Sequence, residues 1–341
     1  WISKIKIMRS QLYISLLIII ACSCINDTSL QFSTVSSYKT INIFSDSTYF
    51  DNIYSIVISE NSYYFADYTN SRIVKTNENL DLVTSIGGYG EGPNEFKGLT
   101  EMYLYDDRLY AIDDGNVRIN VYKYDDWLRS VKLPTYGAIL QNFYVDEKDS
   151  VIIYSRLGKT TNIISMDLLG NNVITKKINE VSYWDKQRKV KAASHILKTI
   201  NDNLIVIPLD EPVIFVYNPD WKLVRKLTLD NIPILSKPIS MMAAEYHTLA
   251  HNTTNILFYD VCIDNNNLYI LTRSIVSNQD SEFNILMKLR LFSDSIVYDK
   301  SYKLVSENRG AWYNAIAVRN DTLVAFESAT SEIQLFSLIE E

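Results

Sequence analysis

Two stretches of the chain carry the same pattern of apolar and polar positions. In YYFADYTNSRIVKTNENLDLVTSIG, from Tyr63, and LYAIDDGNVRINVYKYDDWLRSVKLP, from Leu109, an apolar strand ends in Asp, and a polar turn, an alternating strand, another turn and a third strand follow. Asp67 and Asp113 thereby fall at the same place 46 residues apart. A strand-only repeat with a period in the forties has the length of one propeller blade. The same alternation predicts blades over 55–86, 101–134, 141–178, 195–230, 256–304 and 315–338, the fourth containing NLIVIPLD, VIFVYNPDW and KLVRKLTL. The last segment is one strand short. The alternating stretch KTINIF, 39–44, has no partner of its own nearby, so residues 38–45 are expected to join the last blade and close the ring, removing two open edges at once. The expected fold is therefore all-β, a six-bladed β-propeller of four-stranded antiparallel blades closed by an N-terminal strand. Seven blades stay open if the long fifth segment divides.

Two segments break the strand pattern. SYWDKQRKVKAASH, 182–195, is basic and flanked by aromatics, and its Trp184, Arg188 and Lys189 are candidate contacts for an anionic glycan, a lipid head group or an acidic partner surface. KPISMMAAEYHTLAH, 237–251, places Ile239, Met242, Ala243, Tyr246, Leu249 and Ala250 on one stripe, which predicts a short helix. An insertion of this kind lies on a face or rim, where loops carry binding, so Tyr246 and His247 join the candidate ligand contacts. His247 and His251 stand four apart with Glu245 close by, but the spacing is not HExxH and two histidines do not close a zinc site, so no metal is expected.

Charge and composition narrow the classes. At 341 residues, 47% hydrophobic, with 24 Tyr but only 10 Gly and 7 Pro, the chain is globular and suited to packed strands. Its net charge is −7 even with Lys4, Lys6 and Arg9 near the start, which argues against nucleic-acid binding. Those three basic residues precede an apolar run over 12–21, the pattern of a signal peptide. The stretch IIIACSC resembles the lipobox of bacterial lipoproteins, which implies a cleaved signal over 1–21, lipidation of Cys22, a tether over 22–37 and a propeller over 38–341. The protein is accordingly expected to be exported and held by its lipid on the cell envelope, at the outer membrane. Only Cys262 remains in the body, inside an apolar run, so no disulfide framework holds the fold.

GGYGEGPNEF, 87–96, followed by an Asp-bearing strand, resembles the GxGxGPGEF signature of six-bladed propellers related to the NHL repeat, with Asn94 where Gly is usual. The chain from 38 onward is similar to the lipid-anchored, TolB-like propellers of Bacteroidetes. The resemblance implies fold and envelope location and carries over no catalytic residue. The glycines themselves lack the Lys-Ser or Lys-Thr of a phosphate loop, and Pro93 stands where a helix would start, so a tight backbone crossing is the expected role. The acidic pairs at 106–107, 113–114 and 125–126 sit at strand ends and read as hairpin turns, while Asp67 and Asp113 are placed to bond neighbouring backbone N–H groups. With three His and no GxSxG, a hydrolase triad has little to build on. The expected function is a binding or scaffolding module for a protein partner or a glycan, with no cofactor. The alternative is a propeller enzyme, a metal-dependent lactonase or hydrolase, or a lyase. An enzyme would gather carboxylates, amides or histidines on the axis, whereas a binding module would present an aromatic or basic face.

Overall fold

Strands covered on both faces need an unbroken apolar run, and strands with one wet face need alternation. The computed structural model sorts the chain by this rule. It describes residues 32–339 apart from 46, 135–141, 147, 149, 157–161, 178–182, 185–192, 199–201, 247–254, 276–280 and 307–310. After β1 (Ser33–Ile41) come β2 to β5 (Ile53–Ile58, Ser62–Asp67, Arg72–Asn77, Leu82–Gly87) and β6 to β9 (Leu99–Tyr105, Arg108–Asp113, Arg118–Lys123, Asp126–Lys132). Next are β10 to β13 (Tyr144–Asp146, Val151–Arg156, Asn162–Asp167, Ile174–Lys177) and β14 to β17 (Ser194–Lys198, Leu204–Pro208, Val213–Tyr217, Leu223–Thr228). Helix α1 (Ser236–Tyr246) precedes β18 to β21 (Phe258–Asp264, Asn267–Ile275, Ser281–Leu291, Ile296–Val305) and β22 to β24 (Tyr313–Arg319, Thr322–Glu327, Glu332–Ser337). Strands β15 and β16 are buried throughout, and β3, β7 and β23 are buried at all but their first residue. The outer strands β5 and β17 alternate between wet and covered positions.

The first four of these groups are separate four-stranded antiparallel sheets with neighbours in chain order, and the remaining strands form one eight-stranded sheet, β18-β19-β20-β21-β1-β24-β23-β22. Six apolar clusters stitch the groups face to face. Phe65 and Val74 of β3 and β4 pack with Val324 and Phe326 of β23, and Ala66 and Ile73 pack with Leu99 and Leu109 of the next group. Ile112 and Ile119 meet Val145 and Ile152; Ile153 and Ile163 meet Ile196 and Val206; Ile205 and Ile214 meet Val261 and Leu268. Leu271 and Leu286 then meet Ile316 and Leu323, which brings the series back to β22 to β24. The arrangement is all-β and propeller-like, with α1 resting on the fourth-to-fifth cluster through Met242.

Two expectations change. Six separate four-stranded blades are not found: β1 lies between β21 and β24 and fuses their groups into the eight-stranded sheet. Residues 37–41 pair antiparallel with β24, as the missing-strand argument anticipates, but Ser33–Ser36 also run parallel to β21, and the register shifts between Ser37 and Lys39 where the strand passes from one partner to the other. The expected tether over 22–37 therefore ends early, because Ser33 is already in the ladder. The helix expected over 237–251 is present over Ser236–Tyr246, entered through a 3-10 turn at Pro233–Leu235, with Pro238 in its first turn where a missing N–H is harmless, and residues 247–251 lie outside the described residues. Residues 1–31, with Cys22 and the expected signal, lie outside the described residues.

Candidate axial site

The first strand of each group, or in the third group the residues just before it, faces a common centre. Ser55–Ile58, Met102–Leu104, Asn142 and Phe143, Leu197 and Lys198, Asp260–Asp264 and Ile316–Arg319 line one cavity of about 460 Å³. A second, smaller cavity of about 110 Å³ is lined by Tyr54, Thr100, Glu101, Leu209, Ile256, Tyr259, Asp260 and Asn314. Asp260 belongs to both.

The residues of the smaller cavity reach it through a recurring local defect. The ladders shift register between Ile53 and Ile56, Leu99 and Met102, Phe258 and Asp260, and Tyr313 and Ala315. A bulge inserts an unpaired residue, bends the strand and re-aims a side chain. Of the six residues inside those shifts, Tyr54, Thr100, Glu101, Tyr259 and Asn314 line the smaller cavity and Ser55 lines the larger one.

Two buried acids dominate the site. Asp260 is anchored by the Ile316 N–H, which donates to Oδ2 at 2.7 Å, and by its neighbour's Val261 N–H, which donates to Oδ1 at 2.8 Å. The Asn142 side chain also hydrogen-bonds to Asp260, and His195 Nδ1 donates to Asn142 Oδ1 at 2.7 Å. His195 Nε2 faces the Phe258 carbonyl at 3.4 Å. Glu101 is met by the Ser55 hydroxyl, whose oxygen accepts the Met102 N–H at 3.1 Å. This polar set draws residues from the first strands of five groups and, through Asn142, from the residues just before β10.

Burial raises both carboxyls above their ordinary range, and the negative charge of Asp260 raises Glu101 further, so the pair holds on to protons that an exposed pair would release. Burial has the opposite effect on His195, whose imidazole is pushed down to about 4 and is neutral at pH 7. Cys262 stands half-buried in the wall of the larger cavity, its thiol pushed up by burial and by Asp260. Aromatic pairs stand beside the smaller cavity: Tyr54 against Tyr68 with ring centres 4.6 Å apart, Tyr259 against Phe283 at 5.0 Å, and Phe283 against Trp312 at 4.9 Å. Tyr68 and Trp312 are both more than a third exposed. Among the described residues no three His, Cys, Asp or Glu side chains gather to hold a metal ion.

The residues singled out from sequence fall elsewhere. Trp184 is buried in an apolar cluster, donates its Nε1–H to the Asp210 carbonyl and packs edge-on against Tyr183, so it is a core side chain and presents no open stacking face. Arg188, Lys189 and His247 lie outside the described residues; Tyr246 ends α1, and its side chain is likewise outside them. Asp67 and Asp113 are fully buried clamps: each takes Arg Nε–H at 3.0 Å, from Arg72 and Arg118, and an Asn side-chain N–H, from Asn70 and Asn116. Asp113 also accepts the Lys97 N–H at 2.9 Å, the backbone role expected of it. Arg118 goes on to donate to the carbonyls of Glu91, Gly92 and Glu95, which ties down the glycine loop. Gly87 has φ +95° and a Cβ there would strike the Phe96 ring; Asn94, in the place of the signature's Gly, has φ 62°, a left-handed conformation Asn tolerates.

No protein-family model matches the chain, and no curated protein matches it. Solved structures do. A member of the DUF4221 family from Bacteroides vulgatus is similar with a TM-score of 0.56 at 11% identity, over 91% of this chain and 98% of that one. A Bacteroides fragilis protein described as exported is similar with a TM-score of 0.54 at 15% identity, over 93% and 98%. The WD40 β-propeller domain of Doa1 is similar with a TM-score of 0.52 at 9% identity, over 91% and 98%. The fold of this chain is a β-propeller.

Proposed function

We propose that this chain is an exported, envelope-anchored propeller that binds a glycan or a partner protein on its axial face. The observation that carries the reading is the aromatic rim, Tyr54–Tyr68 and Tyr259–Phe283–Trp312, standing around a buried polar cavity in which Glu101, Asp260 and Asn314 offer acceptors. Ring faces supply stacking area at low entropic cost, and buried acceptors fix orientation. The eight-stranded sheet is read as two blades joined through β1, which makes six blades in all and accounts for the six inter-group clusters. The signal pattern and the lipobox-like Cys22 support export and a lipid anchor on the outer membrane. Radiolabelled palmitate is expected to label the wild type and not Cys22→Ser, and equal labelling would refute the anchor.

Titration of purified envelope polysaccharides and surface proteins against the chain tests the axial face. Trp312→Ala and Tyr54→Ala are each expected to weaken binding about tenfold, the scale of one lost aromatic contact. Binding untouched by both would move the site away from the axis.

A second reading, a hydrolase or lyase, is favoured by one observation: two buried carboxyls with raised proton affinity share a cavity, the condition for a general acid at neutral pH. It requires that Glu101→Gln abolish turnover of a bound ligand while leaving its binding intact.

A further inference from the structure

The composition of the smaller cavity says what kind of group it is built to receive, and we propose that it binds an organic ammonium group, held by Glu101, Asp260 and Asn314. The inference rests on the axial reading above and names the chemistry of its ligand. Among the eight described residues that line the cavity there is no Lys, Arg or His. Asn314 is nine-tenths buried and its Oδ1 has no hydrogen-bond partner among the described residues, whereas a buried acceptor left unpaired is costly. Asp260 takes one backbone N–H on each oxygen and Glu101 takes the Ser55 hydroxyl, which leaves lone pairs on both carboxylates. The cavity thus offers unfilled acceptors on Asn314 and on two acidic side chains, and its lining holds no cationic group to meet them.

A primary ammonium supplies the positive charge the lining lacks and brings three N–H donors for the acceptors of Glu101, Asp260 and Asn314. Its carbon chain suits the Tyr54 and Tyr259 walls, since ring faces attract organic cations. About 110 Å³ accommodates such a head group or several waters. A hard cation such as calcium fits less well, because it takes about six to eight oxygens and no three acidic, His or Cys side chains gather among the described residues. The titratable and charged groups facing the acids are Tyr54 and Tyr259 in the same cavity, Lys198, Cys262, Asp264 and Arg319 in the larger cavity that Asp260 also lines, and His195 behind Asn142. Binding therefore strengthens as the pH rises and the two carboxyls lose their protons.

The test is thermal melting of the whole chain with protonated 2-aminoethanol, with ethane-1,2-diol as its uncharged counterpart, and with calcium chloride, at matched ionic strength and at pH 6 and 8. The ammonium is expected to raise Tm by a few degrees, more at pH 8 than at pH 6, with the diol and calcium without effect. Glu101→Gln, close in size and checked by its own melting curve, is expected to abolish the shift, and Asn314→Leu to reduce it. A shift given by the diol or by calcium, with none from the ammonium, overturns the ammonium class and leaves an axial ligand site in place. A shift with the ammonium that Glu101→Gln does not change overturns the assignment to this cavity, as does no shift with any probe. The axial reading itself fails separately, through the Trp312 and Tyr54 variants.

Discussion

At the scale of single residues, the axial acids trade stability for a poised site. Both carboxyls have folded proton affinities above those of the unfolded chain, where a carboxyl titrates near 4. The folded state then holds more protons over that interval, so the pair's contribution is fully present at low pH and is lost as the pH rises from about 4 through the raised values. His195 acts in the opposite sense. Its folded value, about 4, lies below the ordinary 6.5, so its contribution is present above 6.5 and is lost as the pH falls toward 4. Chemical denaturation of Glu101→Gln across pH 5 to 9 is expected to keep the acid limb and flatten the alkaline one, with a gain of about 1–3 kcal/mol above pH 7, the range for relieving a poorly paired buried group. Parallel curves for the two proteins would show that Glu101 is not the source of the decline. The clamps behave differently. Asp113 is fully buried and holds Arg118, Asn116 and the Lys97 N–H together. Asp113→Ala strands a guanidinium and is expected to cost about 3–5 kcal/mol in urea denaturation, since breaking a buried pair leaves an uncompensated charge. A cost under about 1 kcal/mol would mean that water takes over the carboxylate's role.

At the scale of elements, β1 has the largest leverage for its length. It is the outer partner of both β21 and β24, so without it two strands present open edges. A chain beginning at Phe44 is expected to lose several degrees of Tm and to aggregate at concentrations where the longer chain stays monomeric, read by light scattering during the melt. Equal melting and scattering would reduce β1 to decoration. The antiparallel half of this role was legible, because an alternating strand without a local partner and a last group with one strand too few point at each other. The parallel half was not: a period of two names the wet and dry faces of a strand and says nothing about which second edge it meets. Glu101 and Asp260 escaped notice for a related reason. Each sits among apolar residues of its strand, Glu101 in LTEMYLY and Asp260 in FYDVCID, which also ends in Asp264; they stand 159 positions apart, and only the bulges and the closing of the ring bring them to one cavity. An acid flanked by apolar residues within an inner strand was the available signal. Trp184 misled in the converse way, since its basic neighbours suggested a surface while the ring itself completes a core cluster.

At the scale of the whole propeller, the site and the stability share one cause. Asp260 comes from β18, its N–H donor Ile316 from β22, its amide partner Asn142 from the approach to β10, and Glu101 from β6. None of these contacts is local, so the site exists only while every inter-group cluster is intact. Phe326 tests this at a distance. It is fully buried in the cluster that joins β22–β24 to β2–β5, beside Phe50 and Phe65. Phe326→Ala is expected to cost about 3–5 kcal/mol, the usual range for emptying an aromatic core position. If the groups fold as one cooperative unit, far-ultraviolet circular dichroism, which reports all strands, and ligand-induced protection at the axis must fall together at the same lowered temperature. A propeller whose groups melt one by one would instead lose the axial signal first and keep most of its strand signal. The clusters argue for the single transition, because each group buries its inner strands only against both neighbours and has no core of its own to fall back on.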